Sequence, residues 1–138
     1  MIFEFTTSKH NDDPATLQEH INRLAGRSLL TAIHDSLANH GYAPSAVDQE
    51  DWGWYTELVA EMPYLIGAIV YQDADEVVDA NATFEALIQV WRTESRKLFG
   101  LINYKKKVHA PLDDPFVTTL DGIIQALNGV ENVRVSSG

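Results

Sequence analysis

Three segments of strand character lie so close together that no crossover helix fits between the first two, and this limits the fold more than any other feature. Trp52 to Ala60, Tyr64 to Gln72 and Thr83 to Trp91 are rich in aromatic and β-branched residues. Only Glu61-Met62-Pro63 separates the first pair, whereas a parallel pairing needs a crossover of about a dozen residues or more. An antiparallel hairpin follows. The acidic run Asp73 to Ala82 (DADEVVDANA) joins the second and third segments and suits a hairpin loop or a short helical turn. In the third segment Phe84, Ala86, Ile88 and Val90 form an inward face, Glu85 and Gln89 lie opposite, and Leu87 and Trp91 are partly covered.

The flanks supply helices. Met1 to Thr6 (MIFEFT) alternates as a short strand, and Lys9 to Pro14 is turn chemistry. From Ala15 to His40, apolar residues recur at helical spacing through Leu17, Ile21, Leu24, Leu29, Leu30, Ile33 and Leu37. Gly26 interrupts this run and Gly41 ends it. Tyr42 to Gln49 is a loop. Leu98, Leu101 and Ile102 predict a short helix over Glu94 to Tyr104, followed by a basic loop from Lys105 to Leu112. Asp114 is placed to cap a helix opened by Pro115, with Phe116, Leu120, Ile123, Ile124 and Leu127 on its apolar face. Glu131 to Ser136 reads as an edge strand. The order β-α-β-β-β-α-α-β predicts a single two-layer α+β domain over residues 1–138, with an antiparallel sheet of about four to five strands and helices on one face.

Charge narrows the function. The net charge is −10, which opposes direct binding to nucleic acid or an anionic membrane, since both require positive charge to replace counterions. From Ser28 to Trp91 there is no Lys or Arg, while Arg92, Arg96, Lys97, Lys105, Lys106 and Lys107 follow with only Glu94 against them. A negative face and a smaller positive one are expected. The chain has no cysteine, which removes disulfides, thiolate catalysis and thiolate metal sites and fits the cytoplasm. Without a basic leader or a long apolar run, it reads as soluble and unprocessed.

Glu50-Asp51-Trp52-Gly53-Trp54-Tyr55 concentrates aromatic surface in six residues. In a continuous strand Trp52 and Trp54 project to one face, beside Gly67 and Ala68 of the next strand, as a core ridge or as anchors of a binding groove. Together with the preceding helix, the glycine turn and the later Tyr64-Leu65-Ile66-Gly67, this motif resembles a family of small uncharacterised bacterial proteins marked by Glu-Asp-Trp/Tyr-Gly-Trp. The resemblance spans Leu29 to Val135 and implies no established activity. The long connection Asp73 to Ala82 departs from its pattern.

Other constellations are weaker. His10, His20, His34, His40 and His109 form no metal-binding pair at helical spacing. Asp73, Asp75, Asp79 and Asn81 imitate the start of a calcium loop, but Val78 stands where glycine is needed and Phe84 where the bidentate glutamate is needed. There is no nucleophile elbow and no phosphate loop, and no cofactor is implied. These features predict a non-enzymatic acidic domain that binds a basic protein, as an immunity or inhibitor protein does. Its expected contacts are Glu50, Asp51, Trp52, Trp54, Asp73, Asp75, Glu76 and Asp79, with a separate basic patch of Arg96, Lys97, Lys105, Lys106 and Lys107. Two alternatives remain: a homo-oligomeric structural or adaptor protein, such as a homodimer, packed through a strand edge and Trp91, and a ligand-binding or enzymatic pocket near Trp54, Tyr55 and Tyr64.

Overall fold

A computed structural model describes residues 1–59, 62–72 and 82–138. Its elements run β1 (Ile2–Thr7), α1 (Pro14–Glu19), α2 (Arg27–Asn39), β2 (Asp48–Glu50), β3 (Gly53–Leu58), β4 (Tyr64–Val70), β5 (Phe84–Leu98), β6 (Ile102–His109), α3 (Pro115–Ala126) and β7 (Val130–Ser136). The strands form one antiparallel sheet in the order β2-β3-β4-β5-β1-β7, with β6 paired to β5. The class is α+β, as expected, but the sheet has seven strands among the described residues. No helix among the described residues is long and apolar enough to cross a membrane.

Strand β5 is the spine. Its first part pairs with β4 on one edge and β1 on the other, and its second part, from Trp91 to Leu98, pairs with β6. Strands β1 and β6 meet end to end along it: the Val90 carbonyl accepts from the Met1 amino group and from the Ala110 amide.

One sheet face is covered by α2 and α3. Phe3, Phe5, Trp54, Ile66, Ala68, Val70, Ala86, Ile88 and Val90 meet Leu29, Leu30, Ile33 and Leu37 of α2 and Phe116, Leu120 and Ile124 of α3 in one core. Burial of this apolar surface is the main favourable term in folding.

The helix starts follow from side-chain chemistry. Asp114 accepts from the Phe116 amide, as its place before Pro115 predicts. Gly26, at the start of α2, has no side chain to cap with, so buried Asp12 substitutes. Its carboxylate accepts from the amides of Gly26, Arg27 and Ser28 at 2.8, 3.0 and 2.8 Å. This contact ties the loop before α1 to the helix after it.

Two sequence expectations fail here. Glu94 to Tyr104 is not a helix: Glu94 to Leu98 continue β5, and Ile102 to Tyr104 open β6. The basic stretch Lys105 to Lys107 is likewise strand, where a loop was expected. Phe99 and Gly100, at φ +53° and +70°, make the tight turn between them, a conformation in which glycine is at ease. Leu98, Leu101 and Ile102 do stand at helical spacing, but no element of the described residues covers them, and all three are exposed. Helical periodicity without a surface to pack against specifies little.

Candidate functional site

The Glu50 to Tyr55 motif is a β-hairpin and not one strand. Glu50 pairs with Gly53, so Asp51 and Trp52 form the two-residue turn between β2 and β3. Buried His20 holds it from the helix side: the Asn22 amide donates to His20 Nδ1, which leaves Nε2–H to donate to the carbonyls of Glu50 (2.8 Å) and Gly53 (3.1 Å).

The turn removes Trp52 from the strand alternation, and the expectation that the two indoles share a face is wrong. Trp54 is 4% exposed. It lies under the helices, donates from Nε1 to the Leu24 carbonyl at 2.8 Å and packs against His20 and beneath the Arg27 guanidinium. It belongs to the core and leaves the predicted contact set for that reason. Trp52 lies on the opposite, uncovered face. There it meets Trp91 edge-on at 5.7 Å between ring centroids and Tyr55 at 6.4 Å. His109 extends the row, 5.5 Å from Trp91.

Gly67 makes this cluster possible. The register places Tyr55 opposite Gly67 and Gly67 opposite Gln89, in the centre of the uncovered face. With no side chain there, the Trp52 ring occupies the space and reaches Trp91 across the strand.

The resulting groove, of about 300 Å³, is lined by Glu50, Trp52, Tyr55, Glu57, Leu65, Trp91 and Lys107. Its electrostatics are negative around Tyr55. Burial raises the phenol above its ordinary value, and the charges of Asp48, Glu50 and Glu57 push it further in the same direction. The three aromatic faces and these carboxylates present π-surface and negative charge to one space. Sequence reasoning named Tyr55 only for the alternative pocket and Trp91 only for a self-association contact, and did not join either to Trp52 in one site. The glycine inside the apolar strand β4 was the available signal, since such a glycine often marks a close approach.

Of the other expected contacts, Glu50 and Asp51 are exposed at the hairpin. Asp73, Asp75, Glu76 and Asp79, and the calcium-like run containing them, lie outside the described residues. The basic patch is drawn together: Arg96 and Lys97 on β5 pair with Tyr104 and Asn103, and Lys105, Lys106 and Lys107 follow along β6. The three residues of the suggested pocket do not converge. Tyr55 is on the open face, while Trp54 and Tyr64 are on the helix side, Tyr64 stacking on Phe116 at 4.4 Å.

A second polar cluster lies at the helix side of β5. The Tyr64 hydroxyl donates to Asp114 at 2.8 and 2.9 Å, and Arg92 bridges Asp114 (3.0 Å) and Glu94. Burial, with the hydrogen bond to Asp114, pushes the Tyr64 phenol up to about 12. Asp114 is at once the cap of α3 and a partner of both neighbours, so the cluster joins α3 to the sheet.

No protein-family model, no curated protein and no solved structure matches the chain.

Proposed function

We propose that this protein is a non-enzymatic protein-binding domain that takes a basic side chain of a partner into the groove on its uncovered sheet face. The observation that carries the reading is the Trp52–Tyr55–Trp91 cluster with Asp48, Glu50 and Glu57 acting on it. An Arg or Lys head seated over these rings gains cation–π attraction, and the carboxylates add charge pairing. Aromatic residues in a pocket are also the usual anchors of protein interfaces. An acidic immunity or inhibitor protein that masks a basic target is the sharper form, because opposite charge accelerates capture.

Titration of intrinsic tryptophan fluorescence with an arginine-rich octapeptide and a glutamate-rich one of equal length tests this. The arginine peptide shifts the emission at low salt and the glutamate peptide does not. Trp52→Ala and the pair Glu50→Gln, Glu57→Gln each weaken binding by at least about fivefold, corresponding to about 1 kcal/mol. Equal response to both peptides, or an unaltered affinity in both variants, sinks the reading.

A further inference from the structure

Beyond Thr93, whose amide donates to the Pro63 carbonyl next to β4, strands β5 and β6 pair only with each other among the described residues. They leave the body as a two-stranded arm, extending about 14 Å from Glu94 to Leu98 at roughly 3.4 Å per residue. Its end is apolar and uncovered: Phe99 and Leu101 are 89% and 87% exposed, and Leu98 and Ile102 flank them as a pair. Behind this tip come Tyr104 and Asn103, opposite Arg96 and Lys97, and behind those Lys105, Lys106 and Lys107.

We propose that this arm inserts tip-first into the surface of an anionic lipid bilayer. The layering matches what a bilayer interface presents along its normal. Leu98, Phe99, Leu101 and Ile102 enter the acyl boundary, where interfacial elements bury about 5–10 Å of apolar structure. Tyr104 sits at the headgroup level, where amphipathic aromatics are favoured. The cations reach the lipid phosphates.

Alternation along the strands decides between this occupant and a protein face. Paired residues share a face and successive residues alternate. Lys97, Lys105 and Lys107 therefore lie on one side of the arm, and Arg96 and Lys106 on the other. A ring of charge around an apolar tip fits a planar surface approached end-on, whereas docking on a second copy would place the cations on one side. The arm holds five cations and within it the single carboxylate of Glu94, which is already engaged by Arg92 and Arg96; Lys107, at the root, also borders the groove with Glu50 and Glu57. Lys97, Lys105, Lys106 and Lys107 form no ion pair with the described residues.

The net charge of −10 opposes contact between an anionic surface and the body. It does not govern the tip. Exposed charges act over about 8 Å at physiological ionic strength, less than the arm's reach. The same separation keeps the acidic body off the membrane while the arm is inserted.

Co-sedimentation of the full chain with phosphatidylcholine vesicles, with and without roughly 30 mol % phosphatidylglycerol, tests the proposal. The chain partitions onto the anionic vesicles and not onto pure phosphatidylcholine. Phe99→Ser combined with Leu101→Ser lowers the partition coefficient by about tenfold or more. Lys105→Gln, Lys106→Gln and Lys107→Gln together lower it by about a hundredfold, at about fivefold per lysine. These residues are outside the core, so the variants keep the wild-type thermal midpoint, which is checked in parallel. A chain that stays in the supernatant with both vesicles overturns the proposal, as does a tip variant that binds like wild type. A dimer seen by sedimentation without lipid, and lost in the tip variant, assigns the arm to a second copy and overturns it equally.

Discussion

The Trp52 indole occupies the position of the missing Gly67 side chain. A Cβ at residue 67 would fall 2.5 and 2.6 Å from Trp52 Cζ3 and Cη2 and 3.2 Å from Trp91 Cζ3. Such distances are far inside van der Waals contact, so any larger residue must displace the ring. Gly67→Ala is expected to push Trp52 toward solvent, separate it from Trp91 and red-shift the emission. Because Trp52 is at the surface and can move, the stability cost stays near 1–2 kcal/mol. Urea denaturation read beside the emission maximum checks both. A variant with the wild-type spectrum contradicts the packing of Trp52 on Gly67.

The two indoles of the hairpin should behave as different populations. Trp54 is 4% exposed and its Nε1–H is bonded to the Leu24 carbonyl, so acrylamide reaches it poorly. Trp52 is partly open on the other face. Trp52→Phe is therefore expected to remove quenchable emission, and Trp54→Phe to remove shielded emission. Trp54→Phe also leaves the part-buried Leu24 carbonyl without its donor, at a cost of about 1 kcal/mol. Stern–Volmer slopes that rank the two variants the other way would contradict this assignment of faces.

Where local chemistry decides an element, the sequence shows it. Asp114-Pro115 announces α3 because a cap and a fixed φ act within one turn, and Glu61-Met62-Pro63 leaves only a hairpin between β3 and β4. Strand β6 is different. Most of its residues are exposed and it has no apolar face to alternate, so what defines it is the partner β5, a long-range contact. The same holds for the site: Trp91 reaches Trp52 only through the register of β3, β4 and β5. The opposite placement of Trp52 and Trp54 has a local cause, since a two-residue turn at Asp51-Trp52 breaks the period of two.

Asp12 is expected to be a larger single contributor to stability than its position in a loop suggests. Its buried carboxylate serves three amides at the start of α2, and its own amide and carbonyl are both bonded by the Gln72 side chain. Asp12→Ala leaves those helix donors without acceptors and should destabilise by about 2–4 kcal/mol. Asp12→Asn keeps an acceptor oxygen and should lose roughly half as much. Chemical denaturation distinguishes them; equal stability of both variants and wild type would mean that water replaces the cap.

Tyr64 gives the fold an alkaline limit. Its phenol is pushed up to about 12 from an ordinary 10.0, by burial first and then by its hydrogen bond and charge contact with Asp114. The proton is thus held more tightly in the folded than in the unfolded chain. Linkage then gives a contribution that is fully present below pH 10 and is lost as pH rises from 10 through about 12. Other groups titrate in that window, so the comparison is with Tyr64→Phe, which has no phenol to ionise. Near neutrality this variant loses a part-buried hydrogen bond to a carboxylate and should be weaker by about 1–3 kcal/mol. Between pH 10 and 12 the wild type should lose that advantage, and the two stability curves should converge. A constant gap across that range would mean that the Tyr64 proton is held no more tightly in the folded chain than in the unfolded one.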